Sequence, residues 1–150
     1  KTILRAEALK QLDTMRDDFV TKRDDVDEKY RKRELKLADI TRDKETTFSD
    51  KKSDYGITGR EKNPEEMRAS IAADLEKDDS KLKVRVGEEA FNKMVGNLYD
   101  DLQKAQKGWA DAKIAQYGGD SKLQEFTREK RRLDANIAEV DRVRTGLSQA

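Results

Sequence analysis

Adjacent acidic residues are the commonest feature of this sequence that could do chemistry. Two carboxylates held close together can divide the general acid and general base work of a hydrolase. The doublets are Asp17-Asp18, Asp24-Asp25, Asp27-Glu28, Glu65-Glu66, Asp78-Asp79, Glu88-Glu89 and Asp100-Asp101. Consecutive residues on a helix point about 100° apart, so the two members of a doublet do not face each other. We therefore interpret the doublets as solvated helix surface rather than as an active site.

The residues that the chain lacks narrow its chemistry further. Its 150 residues include no histidine and no cysteine. This excludes Ser-His-Asp and Cys-His catalytic arrangements, and it leaves no nitrogen or sulfur ligands for structural zinc. The glycines are scattered and form neither a P-loop nor a dinucleotide-binding loop. We expect a protein that is not an enzyme and that carries no metal or cofactor.

Two basic clusters could contact phosphate groups. They are Arg31, Lys32 and Arg33 in the first part of the chain and Lys130, Arg131 and Arg132 near its end. A nucleic-acid-binding protein normally shows a clear basic excess on one face. Here acidic residues flank both clusters, and the net charge is only +1. Binding of nucleic acid through these six residues is therefore the alternative hypothesis rather than the leading one.

The composition favours helices that each bury one narrow stripe. Charged residues make up 43% of the chain and hydrophobic residues 34%. A compact globule of this length usually draws on nearly half of its residues for apolar mass. No apolar run approaches the roughly 18 residues that a membrane-spanning helix needs. We expect an all-α protein without a membrane span, folded as one elongated domain over residues 1–150.

An eleven-residue repeat predicts one long helix over residues 2–55. Apolar residues recur at this interval at Leu4, Met15, Val26, Leu37 and Phe48. A second series starts four residues later, at Ala8. Eleven residues in three turns give a period of about 3.67, so the two series form one nearly axial stripe. Because propensity alone cannot stabilise such a helix, the stripe must pack on another helix, of this chain or of a second copy. A homo-oligomer formed through this helix is therefore one expected partner.

Residues 56–87, called the tip below, interrupt the regular pattern. Tyr55-Gly56 is typical of a helix end, with glycine just past it in a left-handed conformation. Asn63 and Pro64 then predict a new helix start, with a side-chain cap and proline at the first helical position. In residues 80–87 apolar and basic residues alternate with the period of a strand. A lone strand would have no partner, so we expect a bent connector there.

Two further helices are predicted over residues 88–117 and 121–147, because each carries an apolar heptad seam. Trp109, the only tryptophan, lies on the first seam and is expected in the core. Ser121 and Gln124 have the spacing of a capping box. Lys130 and Arg144 occupy the second seam. Their stems either extend past the packing line to solvent or pair with acids on a facing helix and set its register.

Two arrangements of these helices fit the sequence. In one, the last two helices run back along the first as a single broken arm of an antiparallel hairpin. In the other, the chain reverses at Gly118-Gly119 and three helices form a coiled-coil bundle. We favour the reversal, because helix-end signals lie on both sides of the two glycines and a bundle buries more surface.

The irregular tip is the expected site of function, because regular rods set distances while irregular segments carry recognition. The leading hypothesis is a structural and interaction module that presents the tip to a protein partner. Its candidate contact residues are Ile57, Arg60, Lys62, Met67, Lys81, Lys83 and Arg85. In outline the predicted helices resemble the helical hairpins of colicin-type bacterial toxins, secretion-system components and phage structural proteins. The resemblance lies in shape and implies a segment of a larger toxin, secretion or phage assembly.

Overall fold

A computed structural model describes residues 2–149 of the chain, and about 90% of it is helical. The helices are α1 (Thr2–Asp54), α2 (Pro64–Asp78), α3 (Leu82–Val86), α4 (Glu88–Ile114) and α5 (Ser121–Gln149). Over the described range there is no β-strand. None of the helices in that range combines the length and the apolar character needed to cross a membrane. The all-α fold with one long N-terminal helix is thus confirmed.

The chain divides into two compact units. The first combines the chain up to Leu37 with the chain from Tyr117 onward, and the second covers Ala38–Gln116. Helix α1 contributes its first part to the first unit and its last part to the second. In the first unit α1 faces α5, whereas in the second it faces α4.

Ion pairs connect α1 with α5 in the first unit. Their nitrogen-to-oxygen distances are 2.9 Å for Asp13–Arg144, 2.8 Å for Arg16–Asp141, 3.4 Å for Arg23–Asp134 and 2.9 Å for Asp27–Lys130. The residue number on α5 falls by as much as the number on α1 rises, so the two helices run antiparallel. Half-exposed pairs of this kind add little stability, but a shift of register would bring like charges together.

The two seam cations predicted from the sequence belong to these ion pairs. Lys130 and Arg144 bind acids on α1 instead of only extending to solvent. The pKa of Lys130 is raised, chiefly by its hydrogen bond to Asp27. Of the two interpretations of these residues, the structure therefore supports the one in which they set the register of facing helices.

The apolar stripe of α1 is buried along only part of its length. Val26 and Leu37 are buried in the first unit and Phe48 is buried in the second. Leu4 and Met15, in contrast, are 74% and 47% exposed. The α1–α5 register places Gln149, the last described residue of α5, opposite Ala8. Leu4 therefore lies beyond the described part of α5, and within the described residues the start of the stripe is not covered by α5.

Asp120, rather than Ser121, caps the start of α5. One carboxylate oxygen of Asp120 accepts a hydrogen bond from the backbone N–H of Leu123 at 3.0 Å. The same carboxylate accepts hydrogen bonds from Nε and Nη2 of Arg33, at 3.0 and 2.7 Å. This bidentate pair is the chief reason why the pKa of Asp120 is lowered. The predicted Ser121–Gln124 capping box is wrong because Asp120 combines the cap with a long-range contact to α1.

In the second unit the last part of α1 packs antiparallel on α4. The Phe48 and Trp109 rings lie 5.8 Å apart between centroids, and Thr41 Oγ1 donates to the Ala112 carbonyl at 3.3 Å. Lys113 Nζ lies 3.6 Å from the centroid of the Trp109 ring. Trp109 is therefore part of the packed seam, as predicted.

The pairing of helices corrects the preference for a reversal at Gly118-Gly119. A reversal there would pack α5 against α4, whereas the ion pairs place α5 against α1. Between α4 and α5 the residues Ala115–Gly119 form a π-helical turn with non-helical dihedral angles at Tyr117 and Gly118. The capping signals on either side of the glycines therefore mark a break between two helices that each run antiparallel to α1.

Candidate functional site

Gly56 begins the tip and ends α1 in the way that the sequence predicts. Its φ angle is 77°, and the backbone N–H of Ile57 bonds to the Lys52 carbonyl at 2.9 Å, as in a Schellman motif. A Cβ at this position would lie 2.3 Å from Asp74 Cβ on α2. Glycine is therefore required at position 56 for two reasons: the backbone conformation and the close approach of α2.

A hydrogen-bonded group next to Gly56 links α1 to α4. The Asp101 carboxylate accepts Lys51 Nζ at 2.6 Å and the Tyr55 hydroxyl at 2.5 Å. The hydrogen bond from Lys51 is the largest cause of the lowered pKa of Asp101. The hydrogen bond to Asp101 raises the pKa of Tyr55 to about 12. The group thus holds a protonated tyrosine and an ionised aspartate at the base of the tip.

The loop that follows is organised around Glu61. Its carboxylate accepts the Thr58 hydroxyl at 2.6 Å, the Thr58 backbone N–H at 2.8 Å and the Ser70 hydroxyl at 2.8 Å. These bonds stabilise the ionised form, and the bond from the Thr58 hydroxyl is the largest cause that lowers the pKa of Glu61 to about 2. Because Ser70 lies on α2, Glu61 also ties the loop to that helix.

Helix α2 starts at the predicted cap and packs on α4 beyond the end of α1. Asn63 Oδ1 accepts the backbone N–H of Glu66 at 2.8 Å, and Pro64 occupies the first turn. Ile71 is fully buried in a cluster with Phe91 and Val95. This cluster gives the tip an apolar core of its own, so the surface of the tip is held on a packed base.

Residues 82–86 form the short helix α3, neither a strand nor an irregular bend. Leu82 packs against the cluster of Ile71, Phe91 and Val95. Val84 lies two residues further on, about 200° around the helix axis, and its side chain is 85% exposed. Because the segment is helical, its two alternating apolar residues point in different directions: Leu82 packs inside, and Val84 points to solvent.

The structure does not bring the seven predicted contact residues into one patch. Ile57 packs against the apolar cluster, and Met67 is half-buried beside Gln103. Arg60 and Lys62 are exposed before α2, while Lys81 is exposed after its end. Since α2 has 15 residues, it separates these two groups by about 22 Å at 1.5 Å per residue.

Two cations at the α3 end of the tip already interact with neighbouring side chains. Arg85 forms an ion pair with Asp79. Lys83 is half-buried, and its Nζ lies 5.5 Å from the centroid of the Phe91 ring. Lys81 is exposed, and no ion pair to it is seen among the described residues. The exposed face of α3 is therefore defined by Val84 and Lys81 more than by a row of three cations.

The sequence-based candidates omitted the valines of α3. Val84 is 85% exposed, and Val86, at the end of the helix, is 41% exposed. Met94 follows on α4 with 36% exposure. A helical interpretation of residues 82–86 would have identified Val84, because helical spacing turns it away from Leu82. The alternation pointed instead to a strand or connector.

The six cations of the predicted phosphate-binding clusters are mostly paired with acids. The four pairs within 4.0 Å are Lys32–Glu28, Arg33–Asp120, Lys130–Asp27 and Arg132–Glu129. The remaining two residues, Arg31 and Arg131, are exposed. Most of the positive charge of these clusters is therefore compensated within the chain.

Within residues 2–149 no group of three or more acidic side chains is placed to hold a metal ion. Comparisons with protein-family models, with curated proteins and with solved structures find no match to this chain.

Proposed function

We propose that this chain is a non-enzymatic helical interaction module that presents its tip to a protein partner. In this role it forms a segment of a larger toxin, secretion or phage assembly. The contact surface is the outer face of α3, with Val84 at its centre and Lys81 beside it. The apolar cluster under α2 and α3 acts as the rigid base of this surface.

The exposure of Val84 is the observation that carries the proposal. Its side chain is 85% exposed although Leu82, two residues earlier, packs into the core. Burial of a valine side chain in an interface is worth about 1.5–3 kcal/mol. The chain has few apolar residues overall, at 34%, and one held out on a packed base is suited to a partner's surface.

A protein partner is favoured over nucleic acid by the charges of the described residues. A nucleic-acid surface depends on cations that are free to replace counterions. Four of the six predicted phosphate contacts are within ion-pair distance of an acid. Fewer residues of the α1 stripe are available for homo-oligomerisation, because Val26, Leu37 and Phe48 are already buried within the chain. Of the five repeat residues named above, only Leu4 and Met15 remain exposed for such a contact.

The proposal is tested by changing Val84 to aspartate. Because the side chain is exposed, Val84→Asp should leave the thermal unfolding midpoint unchanged. A partner protein that the wild-type chain recovers from an extract of the organism's own cells should not be recovered with this variant. Val143→Asp, in α5 of the first unit, is the control for introducing aspartate at a valine, and its thermal midpoint is measured as well because Val143 is 36% exposed. Equal recovery of the partner by Val84→Asp and by the wild type would contradict the proposal.

A further inference from the structure

A basic groove lies between α1 and α4 in the second unit, away from the outer face of α3. It is open to solvent and has a volume of about 580 Å³. Its charged lining comprises Lys44 and Lys51 from α1 and Lys104, Lys107, Asp101 and Asp111 from α4. The lysines are separated in sequence by up to about sixty positions, so no cluster of basic residues in the sequence reveals this groove.

The charges of the groove do not cancel. Lys51 and Tyr55 both bind the Asp101 carboxylate, at 2.6 and 2.5 Å, so Lys51 compensates that acid. Lys44, Lys104 and Lys107 are exposed, and no ion pair to them is seen among the described residues. The charge of Lys104 also helps to lower the pKa of Asp101, after the hydrogen bonds from Lys51 and Tyr55. The lining as a whole still carries four lysines against two carboxylates, those of Asp101 and Asp111.

The shape of the groove leaves room for an anionic ligand. Its volume falls within the range of about 300–1,000 Å³ that small-molecule sites occupy. Gly108 contributes no side chain to the lining, and a Cβ there would be 3.7 Å from Lys44 Cδ. An alanine or larger residue would take up part of the space beside Lys44.

Several ammonium groups around one space favour a ligand with several negative charges. Lysine binds phosphate as a point charge, without the planar geometry that arginine requires. A ligand with consecutive phosphate groups can contact lysines on both helices at once, whereas a single carboxylate cannot. The repulsion among the three lysines is relieved in the same step.

We propose that this groove binds a small soluble oligophosphate, with Lys44, Lys104 and Lys107 as its direct contacts. This site is separate from the proposed protein-binding face of α3 and does not depend on it. Lys51 takes part indirectly, because its ammonium group compensates the charge of the ionised Asp101 carboxylate.

Calorimetric titration with tripolyphosphate tests the proposal. Wild-type protein should bind it, and the affinity should fall as salt is raised from about 0.1 M to about 1 M, because the screening length drops from about 10 Å to about 3 Å. Replacing Lys104 and Lys107 together by glutamine should weaken binding about tenfold, since each exposed contact contributes modestly. Replacing both by arginine, which keeps the charge, should preserve binding.

The control is the double glutamine variant at Lys36 and Lys122, which are exposed lysines of the first unit. This variant should bind tripolyphosphate like the wild type. Absence of binding would overturn the proposal, as would equal weakening in the control. Binding of a single-stranded oligonucleotide without binding of tripolyphosphate would also overturn it.

Discussion

Replacement of Gly56 by alanine tests how the tip is attached to α1. Gly56 has a φ angle of 77°, and an alanine Cβ would lie 2.3 Å from Asp74 Cβ. The left-handed conformation costs alanine about 1–2 kcal/mol. Overlap with a packed neighbour adds about 1–3 kcal/mol. We therefore expect Gly56→Ala to lower the free energy of unfolding by about 2–5 kcal/mol, measured by urea denaturation followed by circular dichroism.

Gly59→Ala is the matched control for the free-energy cost of the left-handed backbone conformation. Gly59 has a φ angle of 89°, but a Cβ there would meet no atom within 4 Å. It should therefore show only the conformational loss of about 1–2 kcal/mol. The difference between the two variants isolates the contact between the start of the tip and α2.

A second substitution at Asp74 makes this prediction stricter. Asp74→Gly removes the Cβ that the new side chain would strike, so in the Gly56→Ala background it should recover part of the lost stability. Its own effect on α2 is measured separately and subtracted in a double-mutant cycle. Asp74→Ala keeps the Cβ and should recover less. Equal losses for Gly56→Ala and Gly59→Ala, or no recovery with Asp74→Gly, would refute the reasoning.

Three further substitutions test individual contacts. Asp120→Ala should lower the free energy of unfolding by more than the about 1–2 kcal/mol that loss of the α5 cap costs, because it also leaves Arg33 without its carboxylate partner. Asp120→Asn, which keeps a capping oxygen, should lower it less. Glu61→Gln should lower the thermal midpoint most above pH 4.5. The difference from wild type should shrink as the pH falls from 4.5 towards 2, because the pKa of Glu61 is lowered from 4.5 to about 2 and its stabilisation disappears on protonation. Lys130→Leu should raise the urea midpoint, because leucine can fill the hollow of about 240 Å³ beside Val26, Tyr30 and Phe126; Lys130→Gln should not, and an equal rise in both would contradict this explanation.

The sequence predicted most of the helix boundaries because their signals are local. The eleven-residue repeat defined α1, Gly56 ended it, and Asn63 and Pro64 started α2 close to the observed positions. The cap of α5 was missed because Asp120 is selected partly by Arg33, which is distant in sequence. The direction of α5 was missed for a similar reason, because local capping signals do not reveal which helix supplies the partner charges.

The candidate surface was less predictable than the fold. The alternation in residues 82–86 has the period of a strand. The structure has a helix there instead, with Leu82 packed against the apolar cluster. The exposure of Val84 follows from that helix and from no local signal. Likewise, the pairing of Arg33 and Lys130 could not be predicted from local spacing, since the acidic partner of each lies far away in sequence.

Photo-crosslinking from position 84 tests the proposed function most directly. A photoreactive amino acid placed at position 84 in the full chain should form a discrete adduct with one protein in the producing cells. The same group at position 143 should form no such adduct, and excess wild-type chain should compete the adduct away. An adduct that forms from position 143 but not from position 84 would contradict the claim that the outer face of α3 binds a protein partner.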